Sequence, residues 1–358
     1  MGGDRYADQR TLLNDPRVSA NNTRPGYPPL FPKPKPKPIF SFLNKDDPEH
    51  ARLRGMVQGS FTGRRIEAMR PAVQRIVDGL IDAMLAGPKP VDLVEALTRP
   101  TPSLVICELL GVPYHDHDFF QLHSLTVLGH GVSPQEWEAA VDALFSYLDG
   151  LMGEKLAHPA DDLLSELGQR VPSGELTRDE AARMGMTLLI GGHQATSLAI
   201  TCGVLALLEH PDQLVHLSER DDPELPDAAV DELMRYADVF HLGHRRVAVA
   251  DIEIGEQVIR AGEGIIFLTF LANRDPDAFP DPDRLDLHRN TRNTRGPLVF
   301  GLGPHRCMGS QLGRMEYQVA IGTLVRRIPT LRLATTIEEL ASRHDYIVYG
   351  TVQLPVTW

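Results

Sequence analysis

Cysteine is scarce in this 358-residue chain, occurring only at positions 107, 202 and 307. The last of these has a distinctive setting. Residues 300–309 read FGLGPHRCMG, so Gly301, Gly303 and Gly309 bracket Cys307, and an apolar-periodic stretch from about Ser310 to Ile328 follows. Glycine lets a backbone approach another atom closely and adopt positive φ. Amides aimed at a sulfur at the head of a helix stabilise its thiolate. A thiolate is a nucleophile or a metal ligand. A lone cysteine is more often inert, and the glycines together with the helix start are what set this one apart. Zinc is disfavoured, because no second cysteine or histidine stands at ligand spacing around Cys307.

A second unusual segment lies in the middle of a long apolar run. Thr177 and Glu180 form a Thr-x-x-Glu capping box, and a helix is expected from there through MGMTLLIGGHQATSLAITCGVLALLEH to a stop at Pro211. At 1.5 Å per residue that is roughly 50 Å of helix, apolar nearly all round and therefore buried. Its midpoint carries Gly191, Gly192, His193 and Gln194. Each glycine costs about 1 kcal/mol relative to alanine in a helix. Adjacent glycines can be a packing concession. With polar neighbours at the centre of a buried helix, they also fit a place where something lies against the backbone.

The surrounding elements read as follows. From Pro48 to about Leu208 the pattern is mostly helical, and no internal repeat is found. Asp227 is a candidate cap for a helix from Ala228 to Tyr236, on which Glu232 and Arg235 share a face at i and i+3. Such a pair is ordinarily a solvated surface ion pair. RRVAV, DIEI, EQVIR and GIIFLTF alternate and are separated by turn chemistry at Gly255 and Ala261-Gly262, which predicts short antiparallel strands. FPDPDRLDLHR has no periodicity and reads as a loop. The proline-rich stretch from Asn22 to Pro38 predicts an extended, polyproline-like surface loop, either a solvated linker or a wall near a substrate.

FGLGPHRCMG matches Phe-x-x-Gly-x-x-x-Cys-x-Gly, the haem loop of the cytochrome P-450 family, at every fixed position, and the chain resembles that family along nearly its whole length. Glu232-Leu-Met-Arg235 is similar to the family's Glu-x-x-Arg motif, LANRDP to AANRDP, and LPVTW to a familiar bacterial ending. DPEHARLRGMVQGSFTGRR resembles the segment whose His and Arg grip haem propionates. Bacterial members usually carry a further helix and strand ahead of the RYAD segment, so one haem domain over 1–358 is expected without them. The resemblance implies a mainly helical prism with a smaller β-rich part, and haem b buried between the central helix and the cysteine loop. It implies Cys307 as the axial thiolate and metal ligand, with Phe300 and Gly309 packed about it. His50, Arg54, Arg246 and His305 fall at propionate-binding positions. Glu232 and Arg235 fall on a buried structural pair, completed from the loop holding Arg284 and Arg289.

The distal motif departs from the family's Ala/Gly-Gly-x-Asp/Glu-Thr-Thr/Ser. Here Gly191-Gly192-His193-Gln194-Ala195-Thr196 puts an amide where the acid belongs and alanine where the first threonine belongs. Gly192, Gln194, Ala195 and Thr196 are the candidate catalytic positions. Gln cannot ionise and alanine donates nothing. Thr196 is one helical step, about 100°, away and is expected to face elsewhere. A substrate hydroxyl or water is the expected substitute in proton delivery.

Composition bounds the rest. A formal net charge of -12 opposes a nucleic-acid surface. Sparse, odd cysteines fit a reducing cytoplasm, and no early apolar run has the length of a membrane span or signal peptide. No Gly-x-Gly-x-x-Gly fingerprint appears, so electrons are expected from a separate ferredoxin-like or flavodoxin-like protein, with Arg306 and Arg314 as candidate docking residues. The leading expectation is a monooxygenase that hydroxylates or epoxidises an apolar metabolite, in secondary-metabolite biosynthesis. The alternatives are oxidative coupling, desaturation or isomerisation at the same centre, and a catalytically silent haem-binding sensor. The candidate substrate walls are the proline-rich loop, the central helix, the Val239–Gly243 stretch and the turn from Ile347 to Tyr349.

Overall fold

A computed structural model describes residues 5–29, 41–129, 131–219, 225–289, 296–343 and 348–358. The expected proline-rich loop is described only to residue 29, and its remainder, like Ile347, lies outside the described residues.

The architecture is mainly helical and is built around one long helix, Arg178–Glu209. Its start is the capping box read from the sequence. Thr177 Oγ1 accepts from the Glu180 amide at 3.1 Å, and Glu180 Oε2 accepts from the Thr177 amide at 2.8 Å. It ends before Pro211, which opens the next helix, Pro211–Ser218. By length and composition alone this helix is apolar enough to cross a membrane. In the fold it is instead packed against Pro100–Leu110, Pro134–Ala157 and Ser310–Arg327. Close approach at two glycines makes that packing possible. A Cβ on Gly192 would stand 2.6 Å from Ile106 Cδ1, and one on Gly203 would stand 1.9 Å from the Tyr317 hydroxyl oxygen.

The β-rich part is small. Val18–Ser19, His244–Ala248 and Gly264–Phe267 form an antiparallel sheet with His244–Ala248 in the middle, in a register that pairs Arg246 with Ile265 and Val18 with Ala248. Ile252–Ile254 and Gln257–Ile259 form a hairpin whose turn contains Gly255 at φ 56°. A second sheet places the chain's last strand, Pro355–Thr357, between Val91–Asp92 and Arg332–Leu333.

One local expectation is corrected. Asp227 does not cap its helix; it is the first helical residue of Asp227–Tyr236. Pro226, extended at ψ 143°, takes the cap position and offers no side-chain oxygen. Asp227 still places a carboxylate in the first turn, where the helix dipole favours it.

Candidate functional site

The cysteine loop is a tight fold-back. Gly301 and Gly303 take left-handed φ values of 65° and 75°. A Cβ on Gly303 would lie 2.3 Å from the Leu13 carbonyl oxygen, so the position admits glycine alone. The Cys307 amide donates to the Phe300 carbonyl at 2.8 Å, which closes the loop, and the helix Ser310–Arg327 follows at once. The Cys307 side chain is surrounded by protein yet exposed to an interior space. Burial raises its thiol above the ordinary value, while the Gly309 amide and the Arg54 and Arg306 cations pull it down. A coordinated metal cation deprotonates such a thiol outright. Among the described residues no group of three or more His, Cys, Asp or Glu side chains is placed to hold a metal ion. A metal bound at Cys307 must therefore bring its other ligands with it, as a porphyrin does.

The loop and the central helix meet at Gly313. A Cβ placed there would be 3.8 Å from both Phe300 Cε1 and Thr196 Oγ1. Thr196 thus faces the helix that follows Cys307, and its hydroxyl makes a long 3.5 Å bond back to the Gly192 carbonyl. Gly192 is turned against Ile106. All four candidate catalytic positions are half-buried, and Gln194 and Ala195 lie on one helical face. They share it with Gly191, which is exposed although Ile190 beside it is 2% accessible. His193 points away. Its Nδ1 lies 2.7 Å from the Leu189 carbonyl and its ring meets Phe120 edge-on, while Nε2 is buried with no partner. Burial lowers this imidazole to about 4.

His50, Arg54, Arg246 and His305 converge from three elements. The first two come from the helix Glu49–Gln58, Arg246 from the central strand, and His305 from the cysteine loop. The His50 and His305 rings are 4.1 Å apart. His50 Nδ1 meets Asp47 Oδ1 at 3.1 Å, and Nε2 is buried with no partner. Arg54 Nη2 donates to the Arg306 carbonyl at 2.7 Å. Burial is the main cause that lowers His305 to about 3; Arg246, His50 and Arg54 add to it, and Asp46 alone opposes. Two guanidinium groups and two imidazoles with so little negative charge among them suit a ligand carrying carboxylates. Sequence reasoning missed His244. It shares a face with Arg246 at i and i+2, its Nε2 is buried without a partner, and burial lowers it to about 4. Strand alternation was the signal that could have found it.

The Glu232–Arg235 pair is not a surface pair. Both side chains are fully buried. Arg289 Nε joins Glu232 Oε2 at 2.9 Å, whereas Arg284 contributes its backbone carbonyl. Arg314 is engaged by Asp231 and Asp227, while Arg306 is exposed. On the far side, the Tyr349 amide donates to the Val239 carbonyl at 2.8 Å, and the His241 ring is stacked between Phe270 and Tyr349 at 4.8 and 4.6 Å.

A family model described as cytochrome P-450 matches residues 212–330. The chain is 51% identical over 357 residues to cytochrome P-450 GfsF of Streptomyces halstedii, covering 99% of this chain and 86% of the relative. It is 41% identical over 356 residues to the mycinamicin VIII C21 methyl hydroxylase of Micromonospora griseorubida, covering 99% and 89%. Among solved structures, GfsF superposes with a TM-score of 0.90 at 50% identity, and the hydroxylase MycCI bound to mycinamicin VIII with 0.92 at 41%, each covering 99% of this chain and 89% of the other.

Proposed function

The chain belongs to the cytochrome P-450 family, and from that premise we propose how its own residues hold haem b and what class of molecule it oxidises. It is a haem-thiolate monooxygenase; it takes electrons from a redox partner and binds a small-molecule substrate. The single haem domain spans the chain. Cys307 is the iron ligand. Its presentation by a glycine-shaped loop, with no other metal ligands gathered around it among the described residues, is the observation that carries the reading. His50, Arg54, Arg246 and His305 hold the propionates through charge-assisted hydrogen bonds, and Phe300 and Gly309 pack beside the sulfur. Haem b supplies the redox-active iron at which dioxygen is reduced, with thiolate donation favouring O–O cleavage.

On the distal stripe the side chains can orient water but cannot supply a proton by ionising. Gln194 offers an amide and Ala195 a methyl group. The buried His193 points away, and Thr196 faces Gly313. The substrate is therefore an apolar secondary metabolite that carries a hydroxyl near the oxidised carbon, and this hydroxyl anchors the water that the missing threonine would hold. The relative named for hydroxylating mycinamicin VIII at its C21 methyl supports the metabolite class. Electrons come from a ferredoxin-like or flavodoxin-like protein in the cytoplasm, docking near the exposed Arg306.

Turnover with a surrogate ferredoxin and its reductase under labelled dioxygen tests the reading. One labelled oxygen in the product is the expected result. An unlabelled product that has lost two hydrogens would assign desaturation or coupling instead, the second reading that Gln194 and Ala195 favour.

A further inference from the structure

LANRDP places Asn273 at the end of a short helix, Thr269–Ala272, with no role in the site so far. Asn273 is fully buried and uses both ends of its amide. Its Oδ1 accepts from the Leu298 amide at 2.7 Å, and its Nδ2 donates to Asp238 Oδ2 at 2.8 Å. The other carboxylate oxygen, Asp238 Oδ1, accepts from the Phe240 amide at 2.9 Å. One end of this relay leads to the cysteine loop, and the other to the Val239–Gly243 stretch expected to line the substrate. The Leu298 carbonyl accepts from Gly301, and Phe300 in turn accepts from Cys307, so Leu298 is the footing of the cysteine loop. Asp238 fixes the turn that presents Val239, Phe240 and His241, the segment stacked and hydrogen-bonded to Tyr349. Arg235 locks the centre by donating to the Asn273 carbonyl at 2.9 Å.

We propose that Asn273 is a positioning residue which, through Asp238, couples the distal segment 238–241 to the loop that presents Cys307. The amide orientation is dictated from both sides: Leu298 offers an N–H, and Asp238 offers a carboxylate. Three groups from different parts of the chain thus share one fixed donor–acceptor sequence, and a change at either side chain propagates to both walls. The spectroscopic arm of the test rests on Cys307 being the haem ligand; the exchange arm does not.

The polarity of the relay makes it testable by exchange of its two members. Asp238→Asn sets an amide against an amide, and any choice of flips leaves one donor facing a donor. Asn273→Asp sets a carboxylate against a carboxylate. The double variant Asp238→Asn/Asn273→Asp restores every bond with the direction of the middle one reversed. The Phe240 N–H then donates to the amide oxygen introduced at position 238, the amide nitrogen there donates to the carboxylate introduced at position 273, and the Leu298 N–H donates to that same carboxylate. In the purified holoenzyme, amide hydrogen exchange is followed in peptides covering 296–307 and 238–243, with 185–190 in the central helix as control. A buried donor left without its partner corresponds to about 1–3 kcal/mol, or roughly 5- to 150-fold faster local exchange. Asp238→Asn should show this acceleration in both active-site peptides and none in the control, and Asn273→Asp should show a loss of protection there only above the pH at which the two facing carboxyls share a proton. Each should also lose part of the red-shifted thiolate band of the reduced carbon-monoxide complex. The double variant should recover both. If a single variant does not accumulate, recovery of soluble holoprotein in the double reads the same coupling. The proposal is overturned if the double is no better than the worse single, or if Asp238→Asn leaves 296–307 unchanged. A wild type without the red-shifted band would sink the haem-thiolate reading while leaving the exchange result intact.

Discussion

Glu232→Ala should produce a poorly folded, haem-poor protein, and the structure gives the scale. All five guanidinium N–H groups of Arg235 are used: Nε and Nη2 donate to Glu232 at 2.7 and 2.9 Å, Nη1 to the carbonyls of Asn273 and Pro282, and Nη2 also to that of Arg284. Glu232 additionally accepts from Arg289 Nε and the Asp286 amide, each at 2.9 Å. Both side chains are fully buried, so removing the carboxylate strands a cation with no route to water. Breaking such a pair typically costs about 3–5 kcal/mol, a large share of the roughly 5–15 kcal/mol that stabilises a native protein. Glu232→Gln should be almost as harmful, because its amide turns N–H groups toward guanidinium N–H groups. Arg289→Ala should be milder, at about 1–3 kcal/mol, since Arg235 still neutralises Glu232. Haem-to-protein ratio and the rate of unfolding at fixed temperature rank the three. A Glu232→Ala protein that is stable, fully haem-loaded and merely slower in turnover would refute the structural assignment and make the carboxylate a participant in the chemistry.

Cys307→Ala should abolish the strongly red-shifted Soret band of the reduced carbon-monoxide complex, and persistence of that band would identify another ligand. Wild type should form product in tight proportion to electrons consumed on a hydroxylated substrate and release peroxide on its deoxygenated analogue. Ala195→Thr should gain little on the former, and a marked improvement there would make the alanine a defect. Burial lowers His193 from 6.5 to about 4, so the folded protein holds it neutral while the unfolded chain takes up a proton below 6.5. Stability should fall as pH drops from 6.5 to 4, with a contribution of about 3 kcal/mol at most, and His193→Leu should flatten denaturant midpoints across that window.

The cysteine loop was legible because its constraints are local. Gly301 and Gly303 take left-handed φ values within the loop, and Ser310–Arg327 starts within three residues of the sulfur. The central helix was legible for the same reason, since its capping box and terminal proline lie in the sequence itself. Spacing could not tell a buried pair from a surface pair at Glu232 and Arg235. The difference lies in Arg289 and three carbonyls that arrive from tens of residues away. The same holds for Asp238 and Leu298, unremarked until the fold brings them together, and for Asn273, which stood inside LANRDP without a role. The convergence of His50, Arg54, Arg246 and His305 was expected from family resemblance and not from any spacing among them.

The glycine pair at the centre of the long helix separates two physical causes that the sequence could only superpose. Gly192 is a packing requirement, because a single methyl group there would collide with Ile106. Gly191 has no such reason: a Cβ built on it meets no protein atom within 4 Å. Alanine would therefore fit the protein at 191 and would gain about 1 kcal/mol of helix propensity. Gly191 shares its stripe with Gln194 and Ala195, the two positions where the acid and the alcohol of the family's motif are replaced. The openness at 191 and the loss of both proton-handling groups thus fall on one helical face. A substrate that lies close against that face and brings its own hydroxyl would account for both replacements, while Gly191 keeps the family's Ala/Gly position.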